Sequence, residues 1–152
     1  MNIEDLFLEN MDQLYRTALF MLSNSLDAED VVQETYVRLL IKKPYCNDKE
    51  HGKAWLLRVC INLCKNQLRF KKRHPQDELW EQTQITYSLE DKEVLYEISS
   101  LPTKLKSVIV LYAINGYSIK EISKILKISE YATKKRLQRA REKLSLQLEV
   151  NK

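Results

Sequence analysis

The first half of the chain places hydrophobic residues three and four positions apart, which is the period of amphipathic helices. The first segment shows this period at Ile3, Phe7, Met11, Leu14, Ala18, Met21 and Leu22. A second helix is predicted from a cap at Asp27 to about Lys43, where Pro44 ends it. After a polar loop, a third helix is predicted from about Lys53. Together these segments predict a three-helix bundle over residues 1–74.

The second half of the chain begins with a change of pattern. Residues 75–89 are polar and lack a sustained apolar period, which indicates a linker before a second domain at residues 90–152. In that domain Pro102 begins a helix, and Gly116 has the position after a helix end that glycine favours. The predicted fold class is therefore all-α, with two small helical domains joined by an acidic linker.

The end of the chain has the pattern of a helix-turn-helix. Ser118 and Glu121 form the S-x-x-E capping box of a short helix through Leu126, and Ser129 caps a longer helix to about Leu148. One side of the longer helix is apolar. The other side presents polar side chains at helical spacing, namely Tyr131, Lys134, Lys135, Gln138, Arg139 and Glu142. Such side chains can contact bases and phosphates in a major groove, although a hairpin with a solvated basic side gives the same pattern.

Composition excludes several function classes. The chain has 2 Gly, too few for most Gly-rich phosphate loops and nucleotide-binding folds. It has no apolar run of about 18 residues and no N-terminal signal sequence, so a cytoplasmic protein is expected. Cys46, Cys60 and Cys64 lack the C-x-x-C spacing, which favours reduced thiols over a disulfide framework or a zinc site. No metal and no cofactor is predicted.

Charge is arranged in four blocks along the chain. Residues 46–76 hold 8 basic and 2 acidic side chains, and residues 101–152 hold 12 basic and 4 acidic ones. The blocks at residues 1–45 and 77–100 are acidic. Two basic blocks suggest contact with nucleic acid at two places, whereas the alternative is that they are ordinary solvated helix faces.

Three segments resemble the sigma-70 family of the extracytoplasmic-function (ECF) type. The fourth conserved region of that family is similar to LPTKLKSVIVLYAINGYSIKEISKILKISEYATKKRLQRAREKL (Leu101 to Leu144). Its second region is similar to DAEDVVQETYVRLL (Asp27 to Leu40) together with AWLLRVCINLCKNQLR (Ala54 to Arg69). The resemblance implies a sigma factor that binds core RNA polymerase, at the beta-prime coiled coil and the beta flap, and directs transcription initiation from promoter DNA. It also implies an anti-sigma partner, a stress or cell-envelope regulon and no small-molecule substrate.

The resemblance further implies roles for individual residues. At the upstream (minus-35) element it places base contacts at Lys135, Gln138 and Arg139, with Lys134 and Arg136 nearer the backbone and Tyr131 near the helix start. At core polymerase it places Asp30, Gln33, Glu34, Val37 and Arg38, whose spacing gives a face of the second helix apart from its apolar stripe.

The third helix has the parts that an opened downstream (minus-10) element requires. A polar face with amides for base edges is formed by Arg58, Asn62, Lys65, Asn66 and Arg69. The loop from Tyr45 to Lys53 is expected to form the rim of this face. Trp55 matches a family aromatic, either as a core or wedge residue or as a platform for an unstacked base. Phosphate contacts are predicted for Lys71, Lys72 and Arg73.

Four features depart from the family pattern. Lys127 stands where glycine is usual in the turn, so a residue with a Cβ has to adopt the left-handed region. Tyr131 replaces a small residue, and Thr133 replaces a valine on the packed side. The loop after Pro44 is also shorter than the family norm.

Two other function classes compete with this interpretation. A dimeric helix-turn-helix regulator would act without core polymerase, but it leaves the basic third helix unexplained. A helical nuclease or hydrolase would need clustered carboxylates or histidines, and His51 and His74 are the only histidines. No catalytic residue is therefore predicted.

Overall fold

The computed structural model describes residues 2–73 and 89–150, with side chains at 2–72 and 93–144. The chain divides into two compact units, Met1–Gln84 and Ile85–Lys152. All regular secondary structure in the described ranges is helical, so the all-α prediction is confirmed. The predicted linker lies outside the described residues except at Leu89, where a helix begins.

The first unit contains α1 (Ile3–Leu22), α2 (Ser25–Lys42) and α3 (Lys49–Arg73), and each packs on the other two. Their facing sides bury large apolar side chains, including Leu14, Phe20, Leu39, Leu56 and Ile61. Burial of such side chains is the main stabilising contribution, about 1.5–3 kcal/mol for each one. The predicted three-helix bundle is therefore present.

The start of α2 differs from the prediction. Asn24, not Asp27, is the N-cap, because the Asp27 backbone N–H donates to Asn24 Oδ1 at 3.0 Å. Asp27 lies in the first turn of the helix, where the helix dipole stabilises its negative charge. Its carboxylate forms an ion pair with Lys71 near the end of α3. The predicted Asp27 cap was wrong because Asn24, three residues earlier, caps the helix and Asp27 lies inside its first turn.

The third helix begins four residues earlier than about Lys53, the predicted start. The N–H of His51 donates to Asp48 Oδ1 at 2.8 Å, an N-cap bond that begins the helix at Lys49. Gly52 lies in the first turns of α3 and is buried. A Cβ on Gly52 would lie 2.8 Å from Leu6 Cδ2, so glycine permits the close approach of α1. The loop predicted over residues 45–53 is correspondingly shorter.

The second unit contains α4 (Leu89–Ser99), α5 (Thr103–Ile109), α6 (Ile119–Leu126) and α7 (Glu130–Val150). No helix was predicted at α4. A π-helical turn at Val110–Ile114 continues α5. All residues from Leu105 to Leu111 are buried, because α5 packs on α4 and α7 while its π turn packs on α6. This helix is the centre of the second unit.

Each backbone hydrogen bond of the π turn spans five residues, one more than in an α-helix. The N–H of Asn115 donates to the carbonyl oxygen of Val110 at 3.2 Å, five residues back. Tyr112 lies in this turn, and its ring centroid is 4.8 Å from the guanidinium carbon of Arg141 on α7. Gly116 follows with φ +76°, a left-handed conformation that confirms the glycine expected after the helix.

The helix-turn-helix is formed by α6, the turn 127–129 and α7. Both bonds of the predicted capping box are present, from Glu121 N–H to Ser118 Oγ and from Ser118 N–H to the Glu121 carboxylate. Ser129 caps α7 by accepting from the N–H of Ala132 at 3.0 Å. Lys127 ends α6 at φ 56° and ψ 47°, the left-handed conformation that the sequence indicated. Lys127 and the Ser129 cap thus define where α6 ends and where α7 begins.

The Lys127→Gly variant is expected to unfold at a higher temperature than the native chain. A side chain with a Cβ in the left-handed region costs about 1 kcal/mol, which glycine does not pay. Lys127→Ala is the matched control, since it removes the ammonium group and keeps the Cβ. Thermal unfolding followed by circular dichroism would show a rise for glycine alone. An equal rise for alanine would show that charge, not backbone conformation, is responsible.

Candidate nucleic-acid interface

The two faces of α7 differ in burial and in charge. Thr133, Leu137 and Ala140 are buried against the other helices of the unit. Their spacing of four and three residues keeps one side of the helix inside, so the residues between them face outward. The predicted contact residues are exposed at Tyr131, Lys134, Lys135, Gln138 and Arg139, and half-buried at Arg136.

The side chains on the outer face of α7 also contact each other. The Lys135 ammonium lies 5.5 Å from the centroid of the Tyr131 ring, one turn earlier in the helix. Gln138 Nε2 lies 3.4 Å from Glu142 Oε1, on the same face. A concavity of about 540 Å³ is lined by Tyr131, Ala132, Lys135, Arg136, Gln138, Arg139 and Glu142. The structure thus brings together most residues that were predicted for this face.

Thr133 fits the packed side of α7 without leaving its hydroxyl unpaired. Thr133 Oγ1 donates to the carbonyl oxygen of Ser129 at 2.9 Å. A buried hydroxyl without a partner costs about 1–3 kcal/mol, and this bond to the preceding turn avoids that cost. The departure from valine is therefore compatible with the packing of the helix-turn-helix.

The polar face of α3 is graded in exposure. Asn62, Asn66 and Arg69 are exposed, whereas Arg58 and Lys65 are half-buried. Burial lowers the pKa of Arg58, although an arginine stays charged at neutral pH. Trp55 is also half-buried, so its ring is neither enclosed in the core nor fully open to a base. The exposed part of the face is therefore the half toward the end of the helix.

The cations after Arg69 have different surroundings. Lys71 pairs with Asp27, and the two side chains are 27% and 22% exposed. Lys72 is exposed, and the side chain of Arg73 lies outside the described part of the chain. Phe70, between them, is 61% exposed and was not predicted as a site residue. It follows Asn66 by four residues, about one helical turn.

The face predicted for core polymerase lies on α2, and all of its residues are exposed: Asp30, Gln33, Glu34, Val37 and Arg38. Arg38 Nε lies 3.2 Å from Glu34 Oε1, one turn earlier. Leu26, four residues before Asp30, and Ile41, four residues after Val37, are 56% and 70% exposed and were not among the predicted residues. Because residues four apart are neighbours on a helix surface, Ile41 lies beside Val37 on this face. The surface is therefore both charged and apolar.

Within residues 2–72 and 93–144, no cluster of three or more His, Cys, Asp or Glu side chains has the arrangement of a metal site. Cys60 and Cys64 are buried, and Cys46 is half-buried. The Cys60 thiol lies 3.6 Å from the carbonyl oxygen of Leu14, its hydrogen-bond acceptor in the core. None of the described helices is long and apolar enough to span a membrane.

Comparisons with known proteins agree with this architecture. The family model for Sigma-70 region 2 matches residues 6–74, and the model for Sigma-70, region 4 matches residues 91–144. The chain is 32% identical to the ECF RNA polymerase sigma factor SigW of Bacillus subtilis (strain 168), over 90% of this chain and 83% of SigW. It is also 32% identical to SigM of the same organism, over 95% of this chain and 93% of SigM.

A solved structure has the same fold. The sigma factor RpoE of Bartonella quintana, crystallised with the anti-sigma factor NepR, aligns with a TM-score of 0.76 at 24% identity. The alignment covers 98% of each chain. A helix-turn-helix with a basic outer face, preceded by a second helical unit, defines a DNA-binding transcription protein. The chain belongs to the sigma-70 family and is an ECF-type RNA polymerase sigma factor, a class that is not enzymatic.

The Tyr131→Ala variant is expected to weaken promoter binding by the complex with core polymerase about 2- to 5-fold, since an exposed cation–π contact contributes about 0.5–1 kcal/mol. Without the ring, the Lys135 ammonium loses the cation–π contact that restrains its position on the helix face. Tyr131→Phe keeps the ring and should bind as the native protein does. Filter binding of the complex to its promoter measures both variants. Equal losses for alanine and phenylalanine would assign the effect to the tyrosine hydroxyl.

Proposed function

We propose that this sigma factor divides promoter recognition between two helical units. Residues 1–74 are assigned to region 2, which binds core RNA polymerase and the minus-10 element, and residues 90–152 to region 4, which binds the minus-35 element. Residues 75–89 are assigned to the linker. The observation that carries the proposal is the outward cationic face of α7, which lies opposite a stripe buried in a capped helix-turn-helix.

The outer face of α7 suits a major groove. A groove about 12 Å wide admits one helix, and arginine, lysine and glutamine match the acceptors and donors of purine edges. We assign base contacts to Lys135, Gln138 and Arg139, all of which are exposed. Lys134 and Arg136 contact phosphates beside them, and Tyr131 lies where the helix enters the groove.

The polar face of α3 suits opened DNA. Extruding a base costs a few kcal/mol, which hydrogen bonds and stacking have to offset. The amides of Asn62 and Asn66 supply donors and acceptors for base edges, and Arg69 supplies a cation for the backbone. Arg58, Lys65 and Trp55 border them at the half-buried side. Lys71, Lys72 and Arg73 are assigned to phosphates at the end of the helix.

The exposed face of α2 suits a protein partner. Its apolar Val37 and its charged Asp30, Glu34 and Arg38 combine features of a polar-rimmed interface. Gln33 lies among them. We propose that this face binds the beta-prime coiled coil of core polymerase and that region 4 binds the beta flap.

A sigma factor of this type requires control when it is not bound to polymerase. The Bartonella quintana relative is bound to an anti-sigma factor in its crystal structure. We infer an anti-sigma partner for this chain as well, in the cytoplasm, where the polymerase and the promoter are found. The proposed regulon is a response to stress or to changes at the cell envelope.

The first experiment combines the purified protein with core RNA polymerase and genomic DNA and maps transcript 5′ ends. New start sites that share two upstream sequence elements are expected, because two separate surfaces contact DNA. Start sites identical to those of core alone would contradict the proposal. Size-exclusion chromatography distinguishes the other function class, because a conventional regulator elutes as a dimer. Such a regulator would also bind DNA without polymerase.

The second experiment separates base contacts from phosphate contacts. Arg139→Ala is expected to cost about 1–3 kcal/mol and to relax specificity at one base pair of the minus-35 element. Lys72→Ala should weaken all promoters alike and reduce the slope of log affinity against log salt by about 1. Binding of the holoenzyme to single-base promoter variants at several salt concentrations measures both effects. Uniform effects of both variants on every sequence would refute the assignment.

A further inference from the structure

An aromatic side chain is exposed on the same side of α3 as the amides assigned to base edges. Phe70 is 61% exposed and follows Asn66 by one helical turn and Asn62 by two. Residues four apart lie on one face of a helix, about 6 Å apart along its axis. A base whose edge meets the Asn66 amide therefore has its flat face within reach of the phenyl ring.

The surroundings of Phe70 are cationic. Arg69, the preceding residue, is exposed, and the sequence has no Asp or Glu from His51 to Gln76. An aromatic ring among cations is the combination that binds single-stranded nucleic acid, with the cations on the backbone and the ring on a base. Charge complementarity thus favours DNA over an apolar protein segment as the occupant of this position.

We propose that Phe70 is a stacking residue for one unpaired base of the opened promoter, an inference that rests on the proposed contact of α3 with the minus-10 element. The faces of paired bases are covered by their neighbours in the duplex. A ring that stacks on a base therefore binds opened DNA and has no equivalent contact with paired DNA. Phe70 then favours the opened state of the promoter over its closed state.

The test uses holoenzyme reconstituted from core polymerase and the full chain. The probes are one promoter fragment in fully paired form and the same fragment with an unpaired bubble over the minus-10 element. Each unpaired position carries 2-aminopurine in turn, because stacking quenches its fluorescence. Phe70→Ala is expected to lose about 5- to 150-fold in affinity for the bubble, the range measured for one base–aromatic stack. At a temperature low enough to keep the paired fragment closed, affinity for that fragment should stay unchanged, because the ring has no contact with paired DNA.

Three further variants define the contact. Phe70→Trp should retain bubble affinity and quenching at one position, whereas Phe70→Leu, which is apolar without a π face, should lose both. Leu8→Ala is the matched control, because Leu8 is 60% exposed on α1, outside the basic face. Full affinity in Phe70→Leu would overturn stacking. An equal loss on paired DNA, or a loss of core binding, would overturn it as well.

Failure of this inference can be told from failure of the proposed function. Asn66→Ala and Arg69→Ala test whether α3 contacts the opened DNA at all. If both leave bubble affinity unchanged, the assignment of α3 fails and the stacking role fails with it. If both weaken the bubble complex while Phe70→Ala does not, only the stacking role is overturned.

Discussion

The orientation of α7 depends on the burial of one narrow stripe. Thr133, Leu137 and Ala140 occupy the inside of the second unit, and their burial fixes which side chains face solvent. The turn before the helix is defined by the left-handed Lys127, which ends α6, and by the cap at Ser129, which begins α7. A site on such a rigid element holds its side chains more precisely than a site on a loop. Which side chains α7 presents to solvent is thus a consequence of packing on the opposite side of the helix.

The first unit applies the same rule to two functional faces. Leu39 of α2 and Leu56 and Ile61 of α3 are buried in one core, so the outer sides of both helices are exposed together. The Asp27–Lys71 ion pair connects the beginning of α2 to the end of α3. A partly buried pair of this kind limits the positions that the end of α3 can adopt. The surface assigned to polymerase and the surface assigned to DNA are therefore held by one set of contacts.

The sequence patterns predicted the elements that local chemistry determines. The capping box at Ser118 and the left-handed Lys127 follow from residues within one turn, and both are present. The Asp27 cap failed because Asn24, three residues earlier, caps α2 instead. The ion pair of Asp27 joins residues 44 positions apart, which no local pattern shows. The early start of α3 was missed because Gly52 resembles a loop residue until Leu6 is seen against it. The π turn has no local signature either.

The missed helix α4 and the missed Phe70 have different causes. In α4, Leu95 and Ile98 are buried, but acidic neighbours make the segment resemble a linker. Phe70 follows the apolar residues of α3 and would be assigned to the core by hydrophobicity alone, although most of its surface is exposed. Exposure is a property of the folded bundle. The sequence therefore indicates the chemistry of the α3 face better than it indicates which residues are exposed on that face.

Two modest surfaces explain why a protein of this class works with polymerase. Among the described side chains, the exposed cations are Lys134, Lys135, Arg139, Arg141 and Lys143 on α7, and Lys49, Arg69 and Lys72 on α3. Neutralisation of phosphates by lysine and arginine supplies essentially all of the non-specific affinity for DNA, so a surface with only a few cations binds weakly alone. When two weak surfaces are held at the spacing of their two DNA elements, the second contact becomes intramolecular and the affinities combine. Under the proposed function, core polymerase supplies that spacing and so determines where the chain binds DNA strongly.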